Sequence, residues 1–419
     1  MTEMRAFMGW QVLKALIKER SLLGPLRLMA AKLGQVFQFP LSFFHPFFVS
    51  GPEAVRKVLV TERDKLLWRS TDPVTDLLHH GVLVTDGAEH DHYRALMEPA
   101  LRPDVLPAYT ELMRRHAGRV TSLWQDGQKV DMLVESRKIT LLIVFDALFG
   151  VDIWDDLPRI WTPVLKAIEF ISPGAWIVWR HIPRPGFTKP LRQLDEFLFA
   201  IISARRAAAP KSDLLGHLLD AGLSDDQIRD QMLTMLIAGH DTSTALLAWT
   251  FALLGQHPPV MSRLVEELDL AEPGSHPHLL DEVIKEALRL YPPIHLGSRQ
   301  VAQEMDFDGQ QVPAGERIFY SIYLTHRDPH SWEQPNRFCP ERFAHGRKQP
   351  PFAYIPFGGG PRACIGAAFG QAEARLLVSY LLKNFTFVPL NSGAIHAHMG
   401  ATLEPRPGVF MKVTRRERL

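Results

Sequence analysis

Apolar positions along this chain recur mainly at helical spacing. Residues 134–149 and 158–171 are apolar with a helical period, and 191–209 reads as an amphipathic helix. Residues 279–290 form another, stopped by Pro292 and Pro293. Further helices are expected over 89–101, over 107–126, over 213–221, and from Pro52 to about residue 61 behind Gly51. The longest segment, 225–256, starts at an N-cap signal, Ser224-Asp225-Asp226. From Met232 to Leu254 it is apolar nearly all round, which places it in the middle of a large protein.

Strand patterns are confined to the two ends of the chain. Residues 36–50 read as two short strands joined by a turn. Residues 301–323 read as short strands with turns at Asp308-Gly309 and Pro313-Ala314-Gly315, and 385–413 as more strands. Residues 70–84 read as loop. Ser172-Pro173-Gly174 breaks the helical pattern, and Pro183, Pro185 and Pro190 mark a long irregular connection. Beyond Asp328-Pro329 the chain is proline-rich loop. No internal repeat or flexible linker divides it. The expectation is one large, mainly α domain with small β-sheets (α+β), built around a long central helix.

Composition narrows the class. An apolar fraction of 46% in 419 residues supports a sizeable core, and a formal charge of +1 gives no reason to expect nucleic acid as a partner. With two cysteines, disulfides are not the framework, and a reducing cytoplasm is the expected location. No run of about twenty apolar residues is present. The first 32 residues mix Arg5, Lys14, Lys18, Arg20, Arg27 and Lys32 with Phe7, Trp10, Leu13 and Leu16. Such a basic amphipathic segment suits a peripheral membrane contact, although packing on its own domain is the commoner arrangement. Residues 1–35 are therefore read as an N-terminal segment and 36–419 as the main domain.

The candidate chemistry centres on residues 357–370, Phe-Gly-Gly-Gly-Pro-Arg-Ala-Cys-Ile-Gly-Ala-Ala-Phe-Gly. Gly358, Gly359, Gly360 and Pro361 disfavour helix and strand and predict a tight loop. The residues after Cys364 are strong helix formers. Cys364 thus falls just before a helix N-terminus, where partial positive charge favours a thiolate. A thiolate so held suits axial ligation of haem iron, with Phe357 covering the sulfur. Cys339 is read as a spare thiol.

This loop resembles the haem-ligand loop of the cytochrome P450 family, Phe-x-x-Gly-x-x-x-Cys-x-Gly, at Phe357, Gly360, Cys364 and Gly366. Other stretches extend the resemblance over about residues 86–369. Ala238-Gly239-His240-Asp241-Thr242-Ser243 lies halfway along the apolar central segment, where a glycine, a charge and hydroxyls break the local rule. It is similar to the family's oxygen-binding groove, which implies a widened helix turn at Ala238 and proton delivery by Asp241 and Thr242. His240 is expected to face away. Glu286 and Arg289 share a helical face, and with Arg342 they resemble the family's buried Glu-x-x-Arg network. His90, Arg94, Arg299 and Arg362 match the family's haem-propionate positions.

The resemblance implies a soluble, bacterial-type haem-thiolate monooxygenase. It would bind haem b (iron protoporphyrin IX) and use dioxygen with NAD(P)H-derived electrons. No flavin or iron–sulfur domain fits the remaining length, so a ferredoxin- or flavodoxin-type donor with its reductase is expected. The substrate would be a hydrophobic small molecule, fatty acid-, terpenoid- or polyketide-like. Expected pocket walls are residues 74–83, Phe170, Ile171, Leu236, Ala238, residues 294–297 and Thr402. Two alternatives are a peroxygenase or isomerase/dehydratase needing no external electrons, and a non-enzymatic haem sensor. The Asp241–Thr242 pair argues against both.

Overall fold

A computed structural model describes residues 14, 21–39, 45–68, 73–174, 176, 182–272 and 275–417. Most of the basic N-terminal segment, and the turn expected within 36–50, lie outside the described residues.

The helices, in chain order, are α1 (Leu23–Leu33), α2 (Pro52–Arg56), α3 (Pro73–Leu78), α4 (Gly87–Met97), α5 (Leu106–Thr121), α6 (Met132–Phe149) and α7 (Leu157–Ile171). They continue as α8 (Pro185–Arg206), α9 (Leu214–Asp220), α10 (Asp225–Gln256), α11 (Pro258–Leu270), α12 (His278–Leu290), α13 (Ile322–Thr325) and α14 (Ala367–Asn384). The strands are β1 (Val36–Gln38), β2 (Phe47–Val49), β3 (Leu66–Leu67), β4 (Lys129–Asp131), β5 (Leu296–Val301) and β6 (Met305–Phe307). After them come β7 (Gln310–Val312), β8 (Arg317–Ser321), β9 (Phe385–Pro389), β10 (His396–Met399), β11 (Leu403–Arg406) and β12 (Phe410–Arg415).

Helix α10 is the axis of the molecule. Its 32 residues span about 48 Å at the usual rise per residue. It opens on a capping box, in which the Ser224 hydroxyl accepts from the Gln227 amide and the Gln227 side chain accepts from the Ser224 amide. Almost every side chain from Ile228 to Leu254 is buried, because α6, α8, α12, α14 and β11 surround the helix. Trp249 fixes its second half. Its indole stacks on Tyr291 at 3.6 Å between ring centroids and donates to the Leu403 carbonyl at 2.7 Å.

The strands at the two ends of the sequence meet in one mixed sheet, ordered β1-β2-β8-β5-β3, in which β2 and β8 are parallel. The other sheets are β4-β12-β9 and the hairpins β6-β7 and β10-β11. Residues 36–49 therefore stand beside 296–321, and hairpin β10-β11 reaches the middle of α10.

Three expectations need correction. The loop expected over 70–84 contains α3, whose Val74, Leu77 and Leu78 are buried. Helix α8 starts at Pro185 instead of residue 191. Proline suits that first position, and Pro190 lies inside the helix, where it gives up one backbone bond, to the Gly186 carbonyl. Helix α11 was not expected, because it buries only Leu264 and Leu268 and shows a thin apolar stripe. Among the described residues, no helix is long and apolar enough to cross a membrane.

Candidate functional site

The glycines before the cysteine shape the loop. Gly358 and Gly360 adopt φ values of 70° and 66°, a region that favours glycine. A Cβ at Gly360 would also collide with the Leu59 carbonyl oxygen, so the loop sits directly on the turn that prolongs α2. The Cys364 amide donates back to the Phe357 carbonyl at 2.8 Å and closes the loop. Helix α14 then starts at Ala367.

Cys364 is deep in the fold, yet its side chain is exposed, because it opens on an internal cavity of about 670 Å³. The expected depression of its thiol is not what the protein alone shows. Burial pushes the Cys364 thiol up, and the Gly366 amide and Arg94 only partly oppose this.

Opposite the sulfur, Ala238 and Thr242 line the same cavity. Helix α10 stays α-helical through this turn, so the expected widening is absent. Instead the Thr242 hydroxyl donates to the Ala238 carbonyl at 2.6 Å, a back-bond within one turn. Gly239 lets α6 approach, since a Cβ there would press on Val144 at 3.2 Å. His240 points into the core, where burial pushes its imidazole down to about 3, and it does not line the cavity.

Asp241 is held from behind. It accepts from the Thr402 hydroxyl at 2.7 Å and forms an ion pair with Arg137 at 3.5 Å. Arg137 also pairs with Glu404. Burial, then the Glu404 charge, raises the Asp241 carboxyl to about 6 against the pull of Arg137 and Thr402. Sequence reasoning placed Thr402 in the wall but missed Arg137 and Glu404 as partners. Arg137 falls in the polar run Glu135-Ser136-Arg137-Lys138, so the sequence offered no clear signal for it. Glu373 was missed too. Its carboxyl accepts from Ser243 on α10 at 2.5 Å, and burial raises it to about 8.

The four cationic residues gather at one corner of the site. His90 is buried, pairs with Asp91 at 2.8 Å, and is pushed down first by burial and then by the Arg362 charge. Arg94 donates to the Ala363 carbonyl at 2.8 Å, one residue before the cysteine. Arg362 donates to the Thr85 carbonyl at 2.6 Å and pairs with Asp86 at 2.5 Å. Burial lowers the Arg362 guanidinium, and Arg299 and Arg94 press it in the same direction. His90, Arg94 and Arg362 line the cavity, whereas Arg299 lies 3.8 Å from the Trp68 ring centroid behind it.

The Glu286–Arg289 pair is fully buried and bidentate, with bonds of 2.7 and 2.8 Å. Arg289 also donates to the carbonyls of His326 and Pro335, and Glu286 receives the Cys339 amide and lies 3.4 Å from Arg342. From there His326 accepts the Ile355 amide at 2.8 Å, which reaches the cysteine loop.

The expected walls are present in part. Val74, Leu78, Val82, Leu83, Ile171 and residues 294–297 line the cavity. Phe170 instead packs on Phe187 and Arg184, and Leu236 is sealed in the core. Leu26 and Met29 of α1, with Phe48, Trp176 and Met399, complete an apolar arm that the sequence did not reveal.

The sequence matches the Cytochrome P450 family over residues 10–410. The chain belongs to the cytochrome P450 family. It shares 28% identity over 389 residues with cyclooctatin synthase of Streptomyces melanosporofaciens, covering 85% of this chain and 82% of that protein. It shares 30% identity over 364 residues with pentalenene oxygenase of Streptomyces avermitilis, covering 80% of each. The retinoic acid-bound structure of cyanobacterial CYP120A1 superposes with a TM-score of 0.84 at 28% identity, covering 93% of this chain and 94% of that one. This P450 is accordingly a monooxygenase of a family that carries haem iron, and its fold is the one the cysteine loop implied.

Proposed function

We propose that this P450 binds haem b through Cys364 and oxidises an apolar, terpenoid-like small molecule. Its electrons come from a separate ferredoxin- or flavodoxin-type donor with an NAD(P)H-linked reductase, and it works in the cytoplasm. The observation that carries this reading is the shared cavity, in which Cys364, the Ala238–Thr242 turn, the imidazole of His90 and the guanidinium groups of Arg94 and Arg362 all meet.

The residues fit the group. Cys364 offers sulfur to the cavity, Ala238 faces it with no more than a methyl, and an excess of cations suits the two haem carboxylates. Arg94, Arg362, Arg299 and His90 would hold those carboxylates, while Phe357 and the Gly366 amide frame the sulfur. Bound haem supplies the oxidising chemistry, and a cysteine ligand favours O–O cleavage. The chain's own residues exclude water, orient the substrate and move protons. Thr242 presents a hydroxyl to the cavity, and Asp241, raised to about 6, exchanges protons near neutral pH. The apolar arm between α1 and β8 suits a hydrocarbon skeleton, and two of the relatives are named cyclooctatin synthase and pentalenene oxygenase.

The test is turnover of a sesquiterpene and diterpene panel with NAD(P)H and a surrogate ferredoxin and reductase. Expected is one oxygenated product per NAD(P)H, with a carbon monoxide spectrum typical of thiolate-ligated haem. Full turnover with hydrogen peroxide alone, and none with the electron donors, would favour the peroxygenase reading.

A further inference from the structure

Gly297 and Tyr320 stand directly opposite each other in the antiparallel pair β5–β8. The two positions are unequal in size for a reason. A Cβ at Gly297 would run into both the ring and the hydroxyl of Tyr320. The phenol therefore lies across the bare backbone of β5, in space that any other residue at 297 would fill.

That position brings a polar atom to the cavity. Tyr320 is 6% exposed and lines the cavity. Its hydroxyl makes no hydrogen bond to another described residue and opens on the cavity instead of being sealed in the core. Buried tyrosine hydroxyls usually find a partner, and leaving one without is costly. The Tyr320 hydroxyl is free to donate to an occupant of the cavity.

The surroundings specify its charge. Arg299 shares this face of β5 with Gly297, by strand alternation. Its guanidinium lies 5.2 Å from the Tyr320 ring centroid and 3.8 Å from that of Trp68, and Arg362 lies 5.1 Å from Trp68 on the cavity side. A neutral donor beside two guanidinium groups suits an anion with several acceptor sites, and a carboxylate has about four. The apolar arm, by contrast, runs along the opposite face of the sheet, past Ser298 and Phe319.

We infer that Tyr320 is a haem-binding residue, its hydroxyl donating to the haem carboxylate that Arg299 pairs, in space left by the missing side chain of Gly297. This rests on the reading of Cys364 as the haem ligand. The tyrosine adds a hydrogen bond to that group and also steadies Arg299 through its ring.

The test uses the purified holoprotein and excess apomyoglobin, with haem transfer followed by absorbance. Tyr320→Phe keeps the ring and removes only the oxygen. It should lose haem roughly tenfold faster than the parent, the scale of one hydrogen bond to a charged group. Its carbon monoxide spectrum and its affinity for terpenes should not change. Gly297→Ala keeps the oxygen but displaces it, and should show the same acceleration. Parental haem loss in Tyr320→Phe overturns the inference. If that result comes with weaker binding of oxygenated terpenes, the hydroxyl serves the substrate instead. A parent without the thiolate spectrum overturns the haem reading itself, and Tyr320 with it.

Discussion

Thr402 donates its hydroxyl to Asp241 at 2.7 Å and at the same time lines the cavity. One side chain of the loop between β10 and β11 thus touches both the substrate space and the acid on the central helix. Both Asp241 and Thr242 line the cavity, but the acid is tied to Thr402 and Arg137, while the Thr242 hydroxyl bonds back to the Ala238 carbonyl. The two proton-handling groups occupy adjacent positions but different surroundings.

That division separates the phenotypes of the pair. Thr242→Ala should keep haem content, carbon monoxide spectrum and substrate binding, yet release hydrogen peroxide in place of product. Asp241→Asn should slow oxygen consumption itself, by about 10²–10⁴, the usual contribution of a positioned proton donor. Oxygen uptake, peroxide and product are measured together. Wild-type rates and ratios in both variants would remove the proton-relay role.

The partners of Asp241 give opposite pH shifts. Thr402 favours the charged carboxylate and Glu404 disfavours it, around a value of about 6. Thr402→Val should therefore move the inflection in product formed per NAD(P)H to higher pH, and Glu404→Gln to lower pH. A pH series of both variants checks this, and shifts of the same sign would show that the inflection belongs to another group.

Arg289 neutralises Glu286 where neither is exposed. Arg289→Ala removes the bidentate partner of that buried charge and leaves it only Arg342 at 3.4 Å, which costs on the order of 3 kcal/mol. Expression should yield little folded, haem-containing protein, read from the carbon monoxide spectrum per total protein. A variant with parental haem content and melting temperature would show that the carbonyls of His326 and Pro335 need no clamp.

Glu373 makes folding sensitive to base. Its carboxyl ionises at about 8 in the folded protein and at its ordinary value of 4.5 when unfolded. Between those values the folded state binds the extra proton, so this group's contribution to stability is full below 4.5 and is lost as pH rises through 8. Glu373→Gln mimics the protonated form and should flatten that fall, with a gain on the order of a few kcal/mol at pH 8 and little at pH 4.5. Denaturant unfolding at several pH values measures it. An equal effect at every pH would assign the change to packing.

Local chemistry was readable in advance. The start of α10 follows from Ser224 and its length from a largely apolar run, and the cysteine loop follows from three glycines and a proline. What pairs across the chain was not. Asp241 and Thr402 are separated by 161 positions, and the Tyr320–Gly297 exchange appears only once β5 and β8 are in register. The Cys364 thiol was misjudged because a helix N-terminus is a local cue, whereas the burial that outweighs it comes from the whole fold. Helix α8 was shortened because Pro190 was read as a breaker without knowing that Pro185 starts the helix.

Gly360 rests on the Leu59 carbonyl, three hundred positions earlier in the chain. The sulfur site therefore has its footing on one segment and its ligand loop on another that is 301 positions away in the chain. The pedestal is made long before the loop it carries, and the two segments must close on each other before the sulfur is held in place. Such non-local closure is slow and leaves apolar surface open meanwhile.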